Sequence, residues 1–170
     1  FVYLRYLNNQ TMKPVTLTSN FVVYQEDELS AEEREIIAHA RKASESSYAP
    51  YSAFHVGAAL RLSDGTIVAG SNQENASYGI TQCAERNALH HAACYYPTHA
   101  PTALAIAAET GGQFLDQPIP PCGACRQAIL ETEHRYGQRV RILLYGAKGT
   151  WVCEGIENLL PLQFVGDCLL

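Results

Sequence analysis

Three cysteines constrain this chain more than any other feature. Cys83 opens the stretch CAERNALHHAAC (83–94), and Cys122 and Cys125 stand two residues apart in PPCGACRQ (120–127). The first stretch is alanine-rich and reads as a helix, and CRQAILETEHRY (125–136) reads as a second. Cys83 and Cys122 are 39 positions apart, room for a helix, a strand and a loop. Right-handed crossovers place two such helices on one side of a sheet with their N-termini at the same edge. Three thiols can then converge on one point, with Glu85 and Arg86 beside them.

The flanking pattern supplies the sheet. FHVGAALRL (54–62) and TIVAGSN (66–72) are strand-like runs split by Ser63-Asp64-Gly65, a hairpin signal. TALAIAAE (102–109) and VRILLYG (140–146) read as buried strands and TWVCEG (150–155) as a short edge strand. Upstream, Ser30 and Glu33 make a capping-box pattern, followed by Ile36, Ile37, Ala40 and Ala43 at helical spacing. That helix is expected to end before Pro50. PVTLTSNFVVYQ (14–25) has the β-branched composition of a strand. Hairpin, helix, strand, helix, strand and edge strand imply a mixed sheet flanked by helices.

Composition bounds the function. The chain has 170 residues, 47% apolar and 17% charged, as in one globular domain. A net charge of −5 without a Lys/Arg run argues against a nucleic-acid strand as partner. No apolar run approaches the roughly 20 residues needed to span a bilayer, so no membrane partner is expected. FVYLRYL at the start lacks the small-residue cleavage site of a secretory signal. A cytoplasmic location is therefore expected, where patterned cysteines read as metal-binding or catalytic before they read as disulfides. Met12 is the only methionine and residue 1 is Phe, so residues 1–11 read as a leader ahead of an initiator. With that leader set aside, the chain reads as one domain.

Helix N-termini suit anionic sulfur, because the helix dipole is positive there and lowers thiol pKa. Three thiolates on one zinc ion leave a net charge of −1, which Arg86 can offset by donating to the sulfurs. Three protein ligands also leave a fourth tetrahedral position open, the mark of a catalytic zinc site. Zinc brings bound water to a pKa of about 7, and Glu85 is placed to move its proton. Two other readings stand beside this one. A fourth cysteine among Cys94, Cys153 and Cys168 could close a structural Cys₄ site, and CGAC could be a thioredoxin-type redox motif. Otherwise those three cysteines read as ordinary residues, and His90 and His91 as structural.

C-A-E-R followed by P-C-G-A-C-R-Q closely resembles the cytidine deaminase family in its single-domain, three-cysteine form. YAPYSAFHVGAAL (48–60), NQENASYG (72–79) and LLPLQF (159–164) resemble three further motifs of that family, in the same order. The resemblance runs from about Ser30 to Phe164, which implies an N-terminal extension, 1–29, and a catalytic domain, 30–170.

It implies a three-layer α/β/α sandwich with a mixed five-stranded sheet. It implies one zinc ion per chain on Cys83, Cys122 and Cys125, with Glu85 as proton shuttle. Asn72 and Glu74 would bond the ribose 3′-hydroxyl, the Ala84 N–H would meet the pyrimidine carbonyl, and Phe54 would contact the base. Tyr78 and Phe164 would reach the sites of neighbouring subunits in a homotetramer. The activity implied is hydrolytic deamination of cytidine and 2′-deoxycytidine. A nucleoside-analogue deaminase, a polynucleotide-editing deaminase and a non-catalytic zinc module are the alternatives. The sugar-reading pair disfavours the first and the acidic charge the second; turnover separates the third. Gln73 and Gln163 stand where the family usually has Val or Ile and Ser, and the first 29 residues lie outside the pattern.

Overall fold

The structure, a computed structural model, describes residues 13–166. The proposed leader 1–11 and Cys168 therefore lie outside the described residues. In chain order the elements are β1 (Val22–Tyr24), α1 (Ala31–Ser44), β2 (Phe54–Leu62), β3 (Ile67–Ser71) and α2 (Ala84–Tyr95). There follow β4 (Pro101–Thr110), β5 (Gln113–Phe114), α3 (Gly123–Tyr136), β6 (Arg141–Leu144) and β7 (Thr150–Glu154). The strands form one mixed sheet in the order β1-β7-β6-β4-β2-β3, with β5 paired to β4. Among the strands of the described residues only β4 and β6 pair in parallel, and the chain between them is the crossover that contains α3.

The sheet has seven strands where five were expected. Both additions are very short. Of the strand-like stretch 14–25, only Val22–Tyr24 pairs, with Thr150–Val152 of β7. β5 has two residues and folds back on Glu109–Thr110. A two-residue strand is too brief to carry a periodic signal.

Period-two alternation divides the strands between two apolar cores. Leu104, Ile106 and Ala108 of β4 face α2 and α3 together with Ile142 and Leu144, while Ala105, Ala107 and Leu143 join the core against α1. Ala84, Ala88, Leu89, Ile129 and Leu130 belong to the first core, so α2 and α3 share one face of the sheet. Ile36, Ile37 and Ala40 belong to the second. Each fully buried Leu or Ile contributes about 1.5–3 kcal/mol through removal from water.

Helix α1 begins as its sequence dictates. The Ser30 hydroxyl accepts from the Glu33 N–H at 3.2 Å, and the Ser30 N–H donates to the Glu33 carboxylate at 2.8 Å. It ends at Ser44, whose hydroxyl bonds back to the Arg41 carbonyl at 2.7 Å. In the β2–β3 turn the Asp64 carboxylate accepts from the Thr66 N–H at 3.0 Å.

Two glycines set how closely the helices approach. A Cβ on Gly57 would fall 2.0 Å from the Ala40 carbonyl oxygen of α1. One on Gly70 would fall 2.6 Å from the Ala88 nitrogen and 2.7 Å from the Ala84 oxygen. Gly70 thus lets the first turns of α2 press onto β3, which places Cys83 and Glu85 beside the strand end that bears Asn72.

Candidate active site and metal centre

Cys83 is the N-cap of α2 and Cys122 the N-cap of α3, with Cys125 in the first turn of α3. The three sulfurs lie within 4.8 Å of one another, with Cys83–Cys122 at 3.7 Å and Cys122–Cys125 at 3.4 Å. Zinc–sulfur bonds of 2.3 Å at tetrahedral angles put sulfurs about 3.8 Å apart. The donor set therefore fits one zinc ion in chemistry and in spacing. Among the described residues this is the one group of three or more Cys, His, Asp or Glu that could hold a metal. Cys153 is buried in the sheet and Cys94 is exposed on α2, and neither joins it. The third thiol close to the Cys122–Cys125 pair also sets this arrangement apart from a two-cysteine redox motif.

Electrostatics fit the grouping. The Cys83 thiol is pulled down to about 5, first by a hydrogen bond from Cys125, against burial, and then by Cys122 and Arg86. Cys125 is pushed up by sharing its proton with Cys83 and by burial. Arg86 donates from Nη2 to the Thr81 carbonyl at 3.1 Å and also engages Cys83 and Cys125. Those sulfur contacts raise its own pKa further, against the pull of burial. Its Nε is buried without a partner.

Glu85, in the first turn of α2, is 4% exposed. Burial pushes its carboxyl pKa up, and the Cys83 charge adds to this against its own backbone N–H. A carboxyl with raised pKa beside a metal-binding group is suited to taking and returning a proton.

A cleft of about 410 Å³ opens above these groups. Phe54, Asn72, Glu74, Cys83, Ala84 and Glu85 line it, as does Cys122. Asn72 accepts from the Val56 N–H at 2.7 Å and donates to the Phe54 carbonyl at 2.9 Å. One amide hydrogen and one lone pair remain for a ligand. Glu74 takes hydrogen bonds from the Ser52 hydroxyl and the Tyr51 and Ser52 N–H groups, which hold its carboxyl below the usual range.

Two of the expected residues are not brought to this cleft. Tyr78 is 69% exposed and packs edge-on against Tyr51, with ring centroids 5.7 Å apart. Phe164 is 59% exposed, and its carbonyl accepts from Gln127. Conversely, Ser52, Thr81, Gln82, Ile119 and Pro120 line the cleft without having been singled out. Ser52 and Pro120 lie inside the motifs quoted above; Ile119 carried no signal.

Residues 30–137 match the family described as the cytidine and deoxycytidylate deaminase zinc-binding region. A cytidine deaminase of Halalkalibacterium halodurans is 46% identical over 132 residues, covering 78% of this chain and 93% of that protein. One from Sporosarcina psychrophila is 48% identical over 129 residues, covering 76% and 88%. Among solved structures, the Burkholderia pseudomallei cytidine deaminase superposes with a TM-score of 0.64 at 40% identity, covering 76% of this chain and 97% of that one. The Mycobacterium tuberculosis cytidine deaminase does so with a TM-score of 0.60 at 33% identity, covering 80% and 99%. The three-thiol group, the buried glutamate beside it and these likenesses agree: the chain belongs to the cytidine and deoxycytidylate deaminase family.

Proposed function

We propose that this chain hydrolyses cytidine and 2′-deoxycytidine to uridine and 2′-deoxyuridine, releasing ammonia. The observation that carries this reading is the buried Glu85 beside three convergent thiols, on the wall of a cleft that Asn72 and Glu74 also line. Cys83, Cys122 and Cys125 hold one zinc ion. When bound, zinc supplies Lewis acidity and a water acidic enough to react near neutral pH, as in zinc-dependent nucleobase deaminases generally.

Glu85 takes a proton from the attacking water and delivers it to ring nitrogen N3, so that negative charge does not build on the ring during attack at C4. It then delivers the second proton to the amino group, which departs as ammonia. One water is consumed, so atoms and charge balance. Arg86 offsets the charge of the three thiolates, which would otherwise make the metal a weaker acid.

Asn72 and Glu74 address the 3′ side of the sugar, and Phe54 lies against the base. The Ala84 N–H, at the first turn of α2, lacks a helical partner and is free to meet the pyrimidine carbonyl. The carboxylate of Glu74 on the sugar side favours an uncharged nucleoside over a nucleotide.

Tyr78 and Phe164 serve sites on neighbouring subunits of a homotetramer; their exposure outside their own cleft supports this. The two apolar cores on opposite sheet faces support a three-layer α/β/α sandwich. Residues 1–29 form an extension and 30–170 the catalytic domain. The enzyme works in the cytoplasm in pyrimidine salvage; among the described residues no helix is long and apolar enough to cross a membrane.

The test is the ultraviolet absorbance change of the zinc-loaded protein with cytidine, deoxycytidine, CMP and adenosine. Turnover of the first two alone supports the reading. No turnover of either, with zinc bound, would leave a non-catalytic zinc module.

A further inference from the structure

The two side chains that follow Cys125 turn onto the C-terminal segment. Arg126 donates from Nε to the Pro121 carbonyl and from Nη1 to the Leu159 carbonyl, both at 2.8 Å. Gln127 donates from Nε2 to the Phe164 carbonyl at 2.8 Å. The helix that carries Cys125 is thereby clasped to both ends of the strap 159–164.

The two ends of this strap are held differently. Leu159 is 7% exposed and packs in the core, so its end is fixed with or without Arg126. The far end is more exposed. Leu162 and Phe164 are 77% and 59% exposed. Among the described residues, the bond from Gln127 is the one hydrogen bond made to residues 161–166. Val165, beside Phe164, is partly buried and packs against the core. A large aromatic ring is thus held out into solvent while its main chain is pinned from a helix 37 positions away. Self-burial does not explain such an arrangement, because the ring does not enter its own cleft.

We propose that Gln127 is a positioning residue for Phe164: by holding the Phe164 carbonyl it fixes where the ring stands, and so sets affinity for the base in a neighbouring subunit's site. The proposal rests on the reading of Phe164 as the cover of that base. It makes α3 serve two sites at once, holding metal at its N-terminus for its own and a ring through its second turn for the neighbour's.

The experiment uses zinc-loaded full-length protein with the substitutions Gln127→Glu, Gln127→Lys and Phe164→Ala. Glu keeps the shape but loses the donor, whereas Lys keeps a donor. Losing one hydrogen bond to a neutral carbonyl corresponds to about a three- to tenfold effect. Gln127→Glu should raise the KM for cytidine by that factor, with kcat and zinc content unchanged. It should also speed amide hydrogen exchange across 160–166, and Gln127→Lys should restore both. Unchanged exchange in the Glu variant overturns the tether. Faster exchange with an unchanged KM overturns the positioning role, and Phe164→Ala then shows which part failed. If Phe164→Ala raises KM, the base-cover reading stands without Gln127; if it does not, that reading falls as well.

Discussion

The sulfurs of Cys83 and Cys122 sit 3.7 Å apart although 39 positions of sequence separate them. Two helices, each starting at a cysteine N-cap on the same sheet face, bring them together. That spacing suits a shared metal ion and is too long for a disulfide. Cys122→Ala or Cys125→Ala leaves two thiolates, an incomplete shell. Metal analysis of either purified variant should show zinc lost or strongly depleted. Stoichiometric zinc in both would remove these residues from the ligand set.

Arg86 is expected to act through the sulfurs it touches. Changing it to Gln leaves the thiolate charge uncompensated, and changes around metal ligands typically cost about 10–100-fold in affinity or activity. Sedimentation beside the cytidine assay separates this from a role in assembly. An intact oligomer with impaired turnover supports charge compensation, and a dissociated one points to the interface. An intact and fully active variant contradicts both roles.

Gly70→Ala drives a methyl group into the backbone of α2, where a Cβ would meet Ala88 and Ala84 atoms at 2.6 and 2.7 Å. Neither neighbour is a flexible side-chain end, so the helix itself must shift. Overpacking of this kind costs about 1–3 kcal/mol. Thermal unfolding should show a lowered midpoint, and zinc affinity should fall because Cys83 moves with the helix. An unchanged midpoint would mean that α2 can slide without penalty.

Glu33 links the N-terminus of α1 to β6, since Arg141 donates to its Oε1 from Nε at 2.7 Å. Burial pushes the Glu33 carboxyl pKa up, but hydrogen bonds from the Ser30 N–H, Arg141 and the Ser30 hydroxyl outweigh it, and the net shift is downward. A carboxyl lowered on folding stabilises the native state above its unfolded value of about 4.3, and that stability is lost as pH falls through the folded value. Urea unfolding should therefore show Glu33→Gln less stable than the parent at pH 7 by on the order of 1 kcal/mol, the pair being partly solvent-exposed. The gap should close below about pH 4. A gap that widened in acid would reverse the sign of this linkage.

Much of this site can be read from sequence, because local rules decide where its residues fall. Ser30 and Glu33 cap a helix by contacts three residues apart, and the Ser63-Asp64-Gly65 turn is set by its own side chains. Each cysteine of the triad marks or adjoins a helix start. What escapes depends on distant partners. Val15 and Leu17 have strand-like composition but remain 83% and 48% exposed, because among the described residues no strand pairs with 14–21. β5 exists only because the chain doubles back on β4. Thr81 and Gln82 line the cleft by virtue of where α2 packs, which neighbouring residues do not specify. Tyr78 and Phe164 are named by motif, yet one chain leaves both at its surface. Under the homotetramer proposed above, the sites they serve would lie on neighbouring subunits.

The central claim is that Glu85 moves the protons for a reaction supported by the three-thiol metal site. Glu85→Gln keeps the shape and most of the hydrogen bonding but cannot shuttle a proton. The decisive measurement is the kcat for cytidine of this variant beside the parent, with zinc quantified in the same samples. The account predicts one zinc per chain in both and a kcat lowered by about 10²–10⁴-fold in the variant. A zinc-loaded Gln variant that deaminates cytidine near the parent rate would contradict it.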